Sequence, residues 1–140
     1  MNRRMFLIVA GATAAAAIIP HIGHASDEDY RPGLLEKHLA ADDTVFLDFK
    51  ASWCSTCRAQ GEVLSRLKAA NPEYEKKIVF INVDWDTYGK SELVSSMRIP
   101  RRSTLVVLKG DQELGRIVAQ TDEASIRALM DTALAAAAGA

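Results

Sequence analysis

Cysteine and histidine are scarce in this sequence: 140 residues include two cysteines and three histidines. A zinc site needs three or four protein ligands. The only cysteines are Cys54 and Cys57, and two of the histidines, His21 and His24, fall in the first 25 residues, which have the pattern of a cleaved export signal. We therefore expect no metal site.

The sequence also has little excess charge. Its 17 Lys and Arg residues nearly balance its 18 Asp and Glu residues, giving a net charge of −1, and no block of like charges stands out. Nucleic-acid-binding domains are typically basic, so we expect no nucleic-acid partner. No internal repeat or interdomain linker is visible, and the length suits one domain.

The first 25 residues have the composition of an export signal. A basic start, Arg3-Arg4, precedes an uncharged, Ala-rich apolar stretch over residues 5–19. This stretch is shorter than the roughly 20 residues that a membrane-spanning helix needs. Small residues follow at 23–25, where a signal peptidase would cut. We therefore expect a cleaved signal peptide at 1–25 and a mature domain at 26–140.

The beginning of this segment leaves two export routes open. Arg3-Arg4 followed by Phe6-Leu7 resembles the twin-arginine motif, whereas an ordinary secretory signal can also carry two arginines. Both routes lead out of the cytoplasm of a bacterium, so we expect a periplasmic location. That compartment is kept oxidising.

The two cysteines form a Cys-X-X-Cys motif between a strand pattern and a helix pattern. Residues 44–50 are apolar, aromatic and β-branched, as in a buried strand, and the apolar positions after the motif share one helical stripe. A helix start stabilises a thiolate through its unpaired N–H groups and dipole, and it can lower a cysteine pKa from about 8.5 to near 7. We therefore predict that Cys54 is the nucleophile and that Cys57, one turn later, resolves mixed disulfides. A purely structural disulfide would close too short a loop to add much stability.

The rest of the mature chain alternates helix and strand patterns. Strand, helix and strand between residues 44 and 84 predict a right-handed parallel crossover, and the last two strands form a hairpin. Helices are predicted at 33–41, at about 91–97 and from an N-cap at Thr121 to about 137; further strands are predicted at 77–84, 104–109 and 113–118. Residues 26–31, 73–77 and 85–89 are predicted to be loops or exposed segments.

This order of elements resembles the thioredoxin family, and so does the stretch Asp-Phe-Lys-Ala-Ser-Trp-Cys-Ser-Thr-Cys at 48–57. The resemblance covers about residues 33–137. It implies an α/β fold, a three-layer sandwich whose central four-stranded mixed sheet, in the order 2-1-3-4, is flanked by helices and lacks the extra N-terminal strand of larger members. It also implies a thiol–disulfide oxidoreductase that uses a redox-active Cys54–Cys57 disulfide and no dissociable cofactor.

The resemblance further assigns roles to Asp48 and Trp53. The matching aspartate of thioredoxins is buried beneath the disulfide and acts on the proton of the second cysteine. A buried carboxylate has a raised pKa and can accept a proton from Cys57; the alternative is a strand-end Asp paired with Lys50. Trp53 is expected to pack beside the cysteines, to shield them and to help bind substrate.

One departure from the family precedes the strand at 104–109. Thioredoxins carry a cis-proline there, and in this sequence Ser103 occupies that position. A non-proline cis bond costs about 3 kcal/mol, so we expect a trans Arg102–Ser103 bond. Arg102, Ser103 and Thr104 are the predicted substrate-binding residues, and Arg102 would stabilise a nearby thiolate. In an alternative register, Pro100 is the functional proline.

These patterns together predict a periplasmic thiol–disulfide oxidoreductase in a reductase or exchange role. We expect a monomer whose partners are protein thiols or disulfides and a membrane thiol that donates electrons. An alternative from a different class is a carrier of a soft metal such as copper on the same fold, because paired thiolates bind Cu(I). Met97 is the only further ligand close in the chain. We expect His38 to be a surface or half-buried residue and not a catalyst.

Overall fold

The computed structural model describes residues 27–139 of the chain, and the predicted signal peptide lies outside them. The strands are β1 (Glu28–Asp29), β2 (Thr44–Lys50), β3 (Val79–Asp84), β4 (Thr104–Lys109) and β5 (Gln112–Val118). The helices are α1 (Leu34–Ala40), α2 (Ser55–Ala70), α3 (Glu73–Lys77), α4 (Trp85–Tyr88), α5 (Glu92–Ser96) and α6 (Glu123–Ala138). Within the described residues, no helix has both the length and the apolar character that a bilayer span requires.

The strands form one mixed sheet in the order β1-β3-β2-β4-β5. β1 and β2 run parallel to β3, and β4 runs antiparallel to both β2 and β5. The four strands predicted from the sequence are present in the predicted order. The sheet has a fifth, however, the short edge strand β1, so the predicted count of four was wrong. Glu28 and Asp29 pair with Ile81 and Asn82 through their backbones. Because this pairing does not depend on apolar side chains, the sequence carries no strand pattern here.

The sheet is covered on both faces, which gives three layers. Because successive strand residues point to opposite faces, Phe46 and Phe80 pack against α2, α3 and α6, whereas Leu47 and Ile81 pack on the side of α1 and α5. Full burial of a side chain of this size contributes roughly 1.5–3 kcal/mol. Asp48 follows the alternation of Phe46 and therefore lies on the α2 face of the sheet.

Two short helices replace segments that were predicted to be exposed or irregular. The charged stretch at 73–77 forms α3, which Tyr74 anchors in the core, and the predicted loop after β3 begins with α4. The N-cap of α6 is also corrected, from Thr121 to Asp122. The Asp122 carboxylate accepts the backbone N–H of Ser125 at 3.0 Å, which satisfies a first-turn donor.

His38, predicted to be at the surface or half-buried, is buried between two carboxylates. Its Nε2 lies 2.8 Å from a Glu28 oxygen and its Nδ1 lies 2.8 Å from an Asp43 oxygen. Burial lowers the pKa of His38, but the hydrogen bonds to Asp43 and Glu28 outweigh burial and leave the pKa raised. The imidazole thereby ties β1 to the turn that precedes β2.

Candidate active site

Cys54 is the N-cap residue of α2. Its backbone is extended (φ −88°, ψ 113°), and its Sγ accepts the backbone N–H of Cys57 at 3.1 Å. The first N–H groups of a helix have no intrahelical acceptor, so a sulfur at this point takes the place of a capping oxygen and a thiolate gains from the helix dipole. The predicted position of Cys54 between a strand and a helix is confirmed.

The two cysteines are free, buried thiols with opposite pKa shifts. Burial raises the pKa of Cys54, but hydrogen bonds from Cys57, Ser103 and Arg102 outweigh it and lower the pKa to about 7. Burial and the hydrogen bond to Cys54 raise the pKa of Cys57, against an opposing hydrogen bond from Ser103. At neutral pH about half of the molecules therefore hold a thiolate at Cys54, whereas Cys57 is a thiol.

We expect the two thiols to titrate separately. Iodoacetamide alkylation of the reduced protein across pH, with each site assigned by mass spectrometry, should show Cys54 reacting with a midpoint near pH 7. Cys57 should react only at higher pH, because burial and the hydrogen bond to Cys54 raise its pKa. Faster alkylation of Cys57 at neutral pH would reverse the assignment of the two roles.

Ser103 lies directly against both sulfurs. Its Oγ is 3.2 Å from Cys54 Sγ and 3.1 Å from Cys57 Sγ, and the residue has no exposed surface. Its backbone is left-handed (φ +63°), and among residues 27–139 no peptide bond is cis, so the Arg102–Ser103 bond is trans as predicted. Pro100, the residue of the alternative register, is exposed. The structure thus places Ser103 at the disulfide-forming pair.

Gln60 is a site residue that the sequence analysis did not single out. It is fully buried, and its Nε2 donates to the carbonyl of Ser103 at 3.0 Å and to that of Gln120 at 2.9 Å. Gln60 lies on the same stripe of α2 as Val63, Leu64 and Leu67. A polar residue at an apolar position of a predicted helix was the available signal. Its amide fastens the Ser103 loop to the helix that carries the cysteines.

The two tryptophans differ from the predicted arrangement. Trp53, expected to shield the cysteines, is 56% exposed, and it is Trp85 that packs against the cluster formed by Ala51, Cys54 and Cys57. The Trp53 indole N–H donates to Asp86 at 3.0 Å, and the Arg102 guanidinium lies 4.4 Å from the ring centroid. A cation–π contact at an exposed site contributes about 0.5–1 kcal/mol. Trp53 and Arg102 therefore form a fixed, accessible surface, and their substrate-binding roles stay predictions.

Thr104 is the first residue of β4 and is fully buried. Its hydroxyl donates to the carbonyl of Arg101 at 2.7 Å, and its backbone pairs with Phe49 and Val118. These contacts stabilise the turn that presents Ser103. The predicted contact of Thr104 with substrate stays a prediction.

Asp48 opens into the same cavity as the two cysteines. This cavity has a volume of about 660 Å³, and it is lined by Cys54, Cys57, Asp48 and charged residues that include Lys50 and Lys68. Burial raises the pKa of Asp48 to about 6, although the positive charge of Lys50 acts in the opposite direction. The buried Oδ1 atom makes no hydrogen bond within the protein. A carboxylate in this state is available to accept a proton.

A soft-metal carrier would be expected to add a Met or His ligand to the two thiols. Across residues 27–139, His, Cys, Asp and Glu side chains form no group of three that could hold an ion. Met97, the additional ligand considered from the sequence, packs against the core cluster on the α1 and α5 side of the sheet. The cysteines belong to a separate cluster with Ala51.

A thiolate at a helix start, a second thiol one turn later and a buried carboxyl beside them define a thiol–disulfide exchange site. Comparison with known proteins agrees with this class. The family model described as Thioredoxin matches residues 25–132. The chain therefore belongs to the thioredoxin family, and it is a thiol–disulfide oxidoreductase.

Individual relatives support the same fold and family. The chain is 29% identical over 96 residues to a thioredoxin of Echinococcus granulosus, covering 69% of this chain and 83% of that protein. It is 31% identical over 91 residues to thioredoxin H2-1 of Oryza sativa subsp. japonica, covering 64% and 62%. The solved structure of Trxlp from Edwardsiella tarda EIB202 matches with a TM-score of 0.64 at 25% identity, over 74% of this chain and 98% of that one. The predicted α/β three-layer fold is confirmed.

Proposed function

We propose that the protein is a periplasmic disulfide reductase or exchange protein in which Cys54 is the nucleophile, Cys57 the resolving thiol and Asp48 the base. The observation that carries the proposal is the position of Cys54 Sγ, which caps α2 through the Cys57 N–H at 3.1 Å. The pKa of about 7 at Cys54 supports it, because roughly half of the molecules hold a thiolate at neutral pH. The location rests on the export pattern of the sequence.

The first step is attack of the Cys54 thiolate on a substrate disulfide. A bond forms between Cys54 Sγ and one substrate sulfur, the substrate S–S bond breaks, and the other substrate sulfur leaves as a thiolate that takes a proton from solvent. The attacking thiol needs a pKa near the ambient pH, because a lower pKa reduces its nucleophilicity. The capped position of Cys54 meets this requirement.

The second step releases the substrate. Asp48 accepts the proton of Cys57, Cys57 attacks Cys54 Sγ, and the bond from Cys54 to the substrate breaks. The departing substrate thiolate takes up the proton that Asp48 holds, so the substrate gains two electrons and the protein is left with the Cys54–Cys57 disulfide. Asp48 is suited to this transfer because its pKa of about 6 lies between that of a free carboxyl and that of a thiol.

Substrate and electron supply follow from the surroundings of the site. Trp53 is the exposed aromatic beside the cysteines, and Arg102 lies over its ring; we assign to this pair the contact with protein substrates. In an oxidising compartment the protein needs a source of electrons, which we assign to a membrane thiol donor. The protein acts as a monomer in this proposal.

The proposal is tested by the reduction potential of the Cys54–Cys57 pair and by its redox state in cells. Known proteins of this kind range from about −270 mV for reductases to about −120 mV for strong oxidants. We expect a value near the reducing end and a mainly reduced pair when thiols are trapped in the periplasmic fraction. A value near the oxidising end, with the pair oxidised in cells, would contradict the reductase role.

The soft-metal carrier is the competing outcome of the same work. Two thiols separated by two residues are the feature that favours it. A titration with Cu(I) against a competing chelator, made beside an assay of protein disulfide reduction, separates the two functions. Tight binding of one Cu(I) per chain together with an absence of reductase activity would favour the carrier.

A further inference from the structure

The side chain of Ser103 provides one hydroxyl for two sulfurs. Its Oγ lies 3.2 Å from Cys54 Sγ and 3.1 Å from Cys57 Sγ. A hydroxyl has one proton to donate and two lone pairs to accept with, so it can donate to one sulfur while it accepts from the other. Rotation of the O–H bond exchanges the two directions and moves no heavier atom.

We propose that Ser103 is a catalytic residue whose hydroxyl donates a hydrogen bond to whichever of the two active-site sulfurs carries the negative charge. The inference rests on the proposed function and deepens it, because the charge moves between Cys54 and Cys57 during the exchange reaction. It assigns to Ser103 a role toward the reacting sulfurs that is separate from contact with substrate.

The backbone of Ser103 holds its hydroxyl in place. The N–H donates to the carbonyl of Phe49 at 2.7 Å, and the carbonyl accepts from the Ala119 N–H at 2.9 Å and from Gln60 at 3.0 Å. Both backbone polar groups are therefore engaged inside the protein. The φ of +63° is costly for a residue other than glycine, and these bonds maintain it.

The charge on the sulfurs determines the direction of the Ser103 hydrogen bonds. In the reduced protein, Oγ–H donates to the Cys54 thiolate, and the Cys57 thiol donates to the same sulfur. After Cys54 has formed a mixed disulfide, its charge is gone. As Cys57 gives its proton to Asp48, Oγ–H turns to the new Cys57 thiolate. Ser103 forms and breaks no covalent bond and keeps its proton throughout.

Other groups that face the sulfurs do not serve both in this way. The hydrogen bonds of Ser103 lower the pKa of Cys54 and also that of Cys57. The hydrogen bond of Arg102 lowers the pKa of Cys54. Burial raises the pKa of both thiols. Ser103 also favours the dithiol form over the disulfide, because a disulfide carries no charge for the hydroxyl to stabilise. It therefore makes the pair a stronger oxidant than it would be without the hydroxyl.

The test removes the hydroxyl in two backbone contexts, Ser103→Ala and Ser103→Gly, in the exported protein. Glycine tolerates the left-handed backbone, so Ser103→Gly keeps the test valid even if Ser103→Ala does not fold. Hydrogen bonds to charged groups are the stronger class, so we expect the pKa of Cys54 to rise by about one unit, a tenfold loss in acidity. The reduction potential should become more negative, and the mixed disulfide should resolve about tenfold more slowly.

Two control variants leave the Ser103 hydroxyl in place. Ser95→Ala removes an exposed hydroxyl on α5 that donates to the carbonyl of Glu92, and Asp42→Gly relieves another left-handed residue, in the exposed turn before β2. Neither should change the pKa of Cys54. An unchanged pKa in both Ser103 variants, or a change in Ser103→Ala that Ser103→Gly does not share, would overturn the proposal.

The readouts separate this inference from the proposed function. The thiol pKa and the reduction potential are measured on the protein alone, with small thiols as reagents. If the wild-type protein reduces no protein disulfide but both Ser103 variants show the raised Cys54 pKa, the proposed function fails and the hydrogen-bonding role of Ser103 stands.

Discussion

Cys54→Ser is expected to abolish disulfide reduction, whereas Cys57→Ser should allow the first step and stop at the mixed disulfide. Loss of a nucleophile in other enzymes reduces the rate by a factor on the order of 10⁴ or more. A serine hydroxyl is not ionised near neutral pH, so it cannot replace the thiolate. The structure supports the asymmetry, because only Cys54 caps α2 and only its pKa is lowered, to about 7.

Insulin reduction with dithiothreitol as electron donor measures the first effect, and non-reducing electrophoresis of cell extracts measures the second. Cys57→Ser should give partner adducts that a reductant releases, and the double variant Cys54→Ser with Cys57→Ser should give none. Adducts in Cys54→Ser, but not in Cys57→Ser, would show that the two roles are exchanged.

Asp48→Asn is expected to stabilise the protein at neutral pH while it slows the exchange reaction. Burial raises the pKa of Asp48 from 3.8 to about 6 in the folded protein. A raised pKa means that the fold prefers the protonated form, so this stability is fully present below pH 3.8 and is lost as pH rises through about 6. The shift of about two units corresponds to about 3 kcal/mol at neutral pH.

Urea unfolding of the wild type and of Asp48→Asn, at pH 4 and at pH 7.5, measures this effect. The advantage of the variant in free energy of unfolding should be small at pH 4 and reach about 3 kcal/mol at pH 7.5. The matched control is Asp111→Asn, the same change at an exposed turn residue, which should produce no such pH dependence. If the difference in free energy of unfolding between Asp48→Asn and the wild type is the same at pH 4 and at pH 7.5, Asp48 is not a buried charge at neutral pH.

Mixed-disulfide resolution should also be slower in Asp48→Asn, since asparagine cannot accept the proton of Cys57.

The sequence was sufficient for the main elements because their patterns are local. The apolar run at 44–50 and the stripe that includes Val63 and Leu67 identify β2 and α2 without knowledge of the rest of the chain. The edge strand β1 has no such pattern. Glu28 and Asp29 are paired by backbone hydrogen bonds to β3. His38 also binds the Glu28 carboxylate, and Lys68 binds the carboxylate of Asp27, the residue before β1. These contacts join residues far apart in the chain.

The site was predictable in part from spacing and in part from the family. The Cys-X-X-Cys motif after a strand is sufficient to place Cys54 at the N-cap of α2, whereas the expectation that Ser103 faces the sulfurs came from the resemblance to thioredoxins, in the register set by Thr104. Side-chain direction was not predictable in the same way. Trp53 lies in the turn before α2 and is exposed, whereas Trp85, which follows β3, packs against the cluster that contains the cysteines. Which tryptophan packs near the cysteines depends on the pairing of β2 with β3, the strands that precede Trp53 and Trp85.

The two-residue length of β1 affects how the sheet meets other polypeptides. An edge strand with unpaired backbone groups is a template for strand addition and aggregation, and short, charged or bulged edges resist it. Here one edge ends in two acidic residues, Glu28 and Asp29. The opposite edge, β5, carries Glu113 and Arg116 and pairs with β4 through a register shift at Val107 and Leu108. Both margins of the sheet thus discourage pairing with an extended chain, so the open edges are poor templates for aggregation.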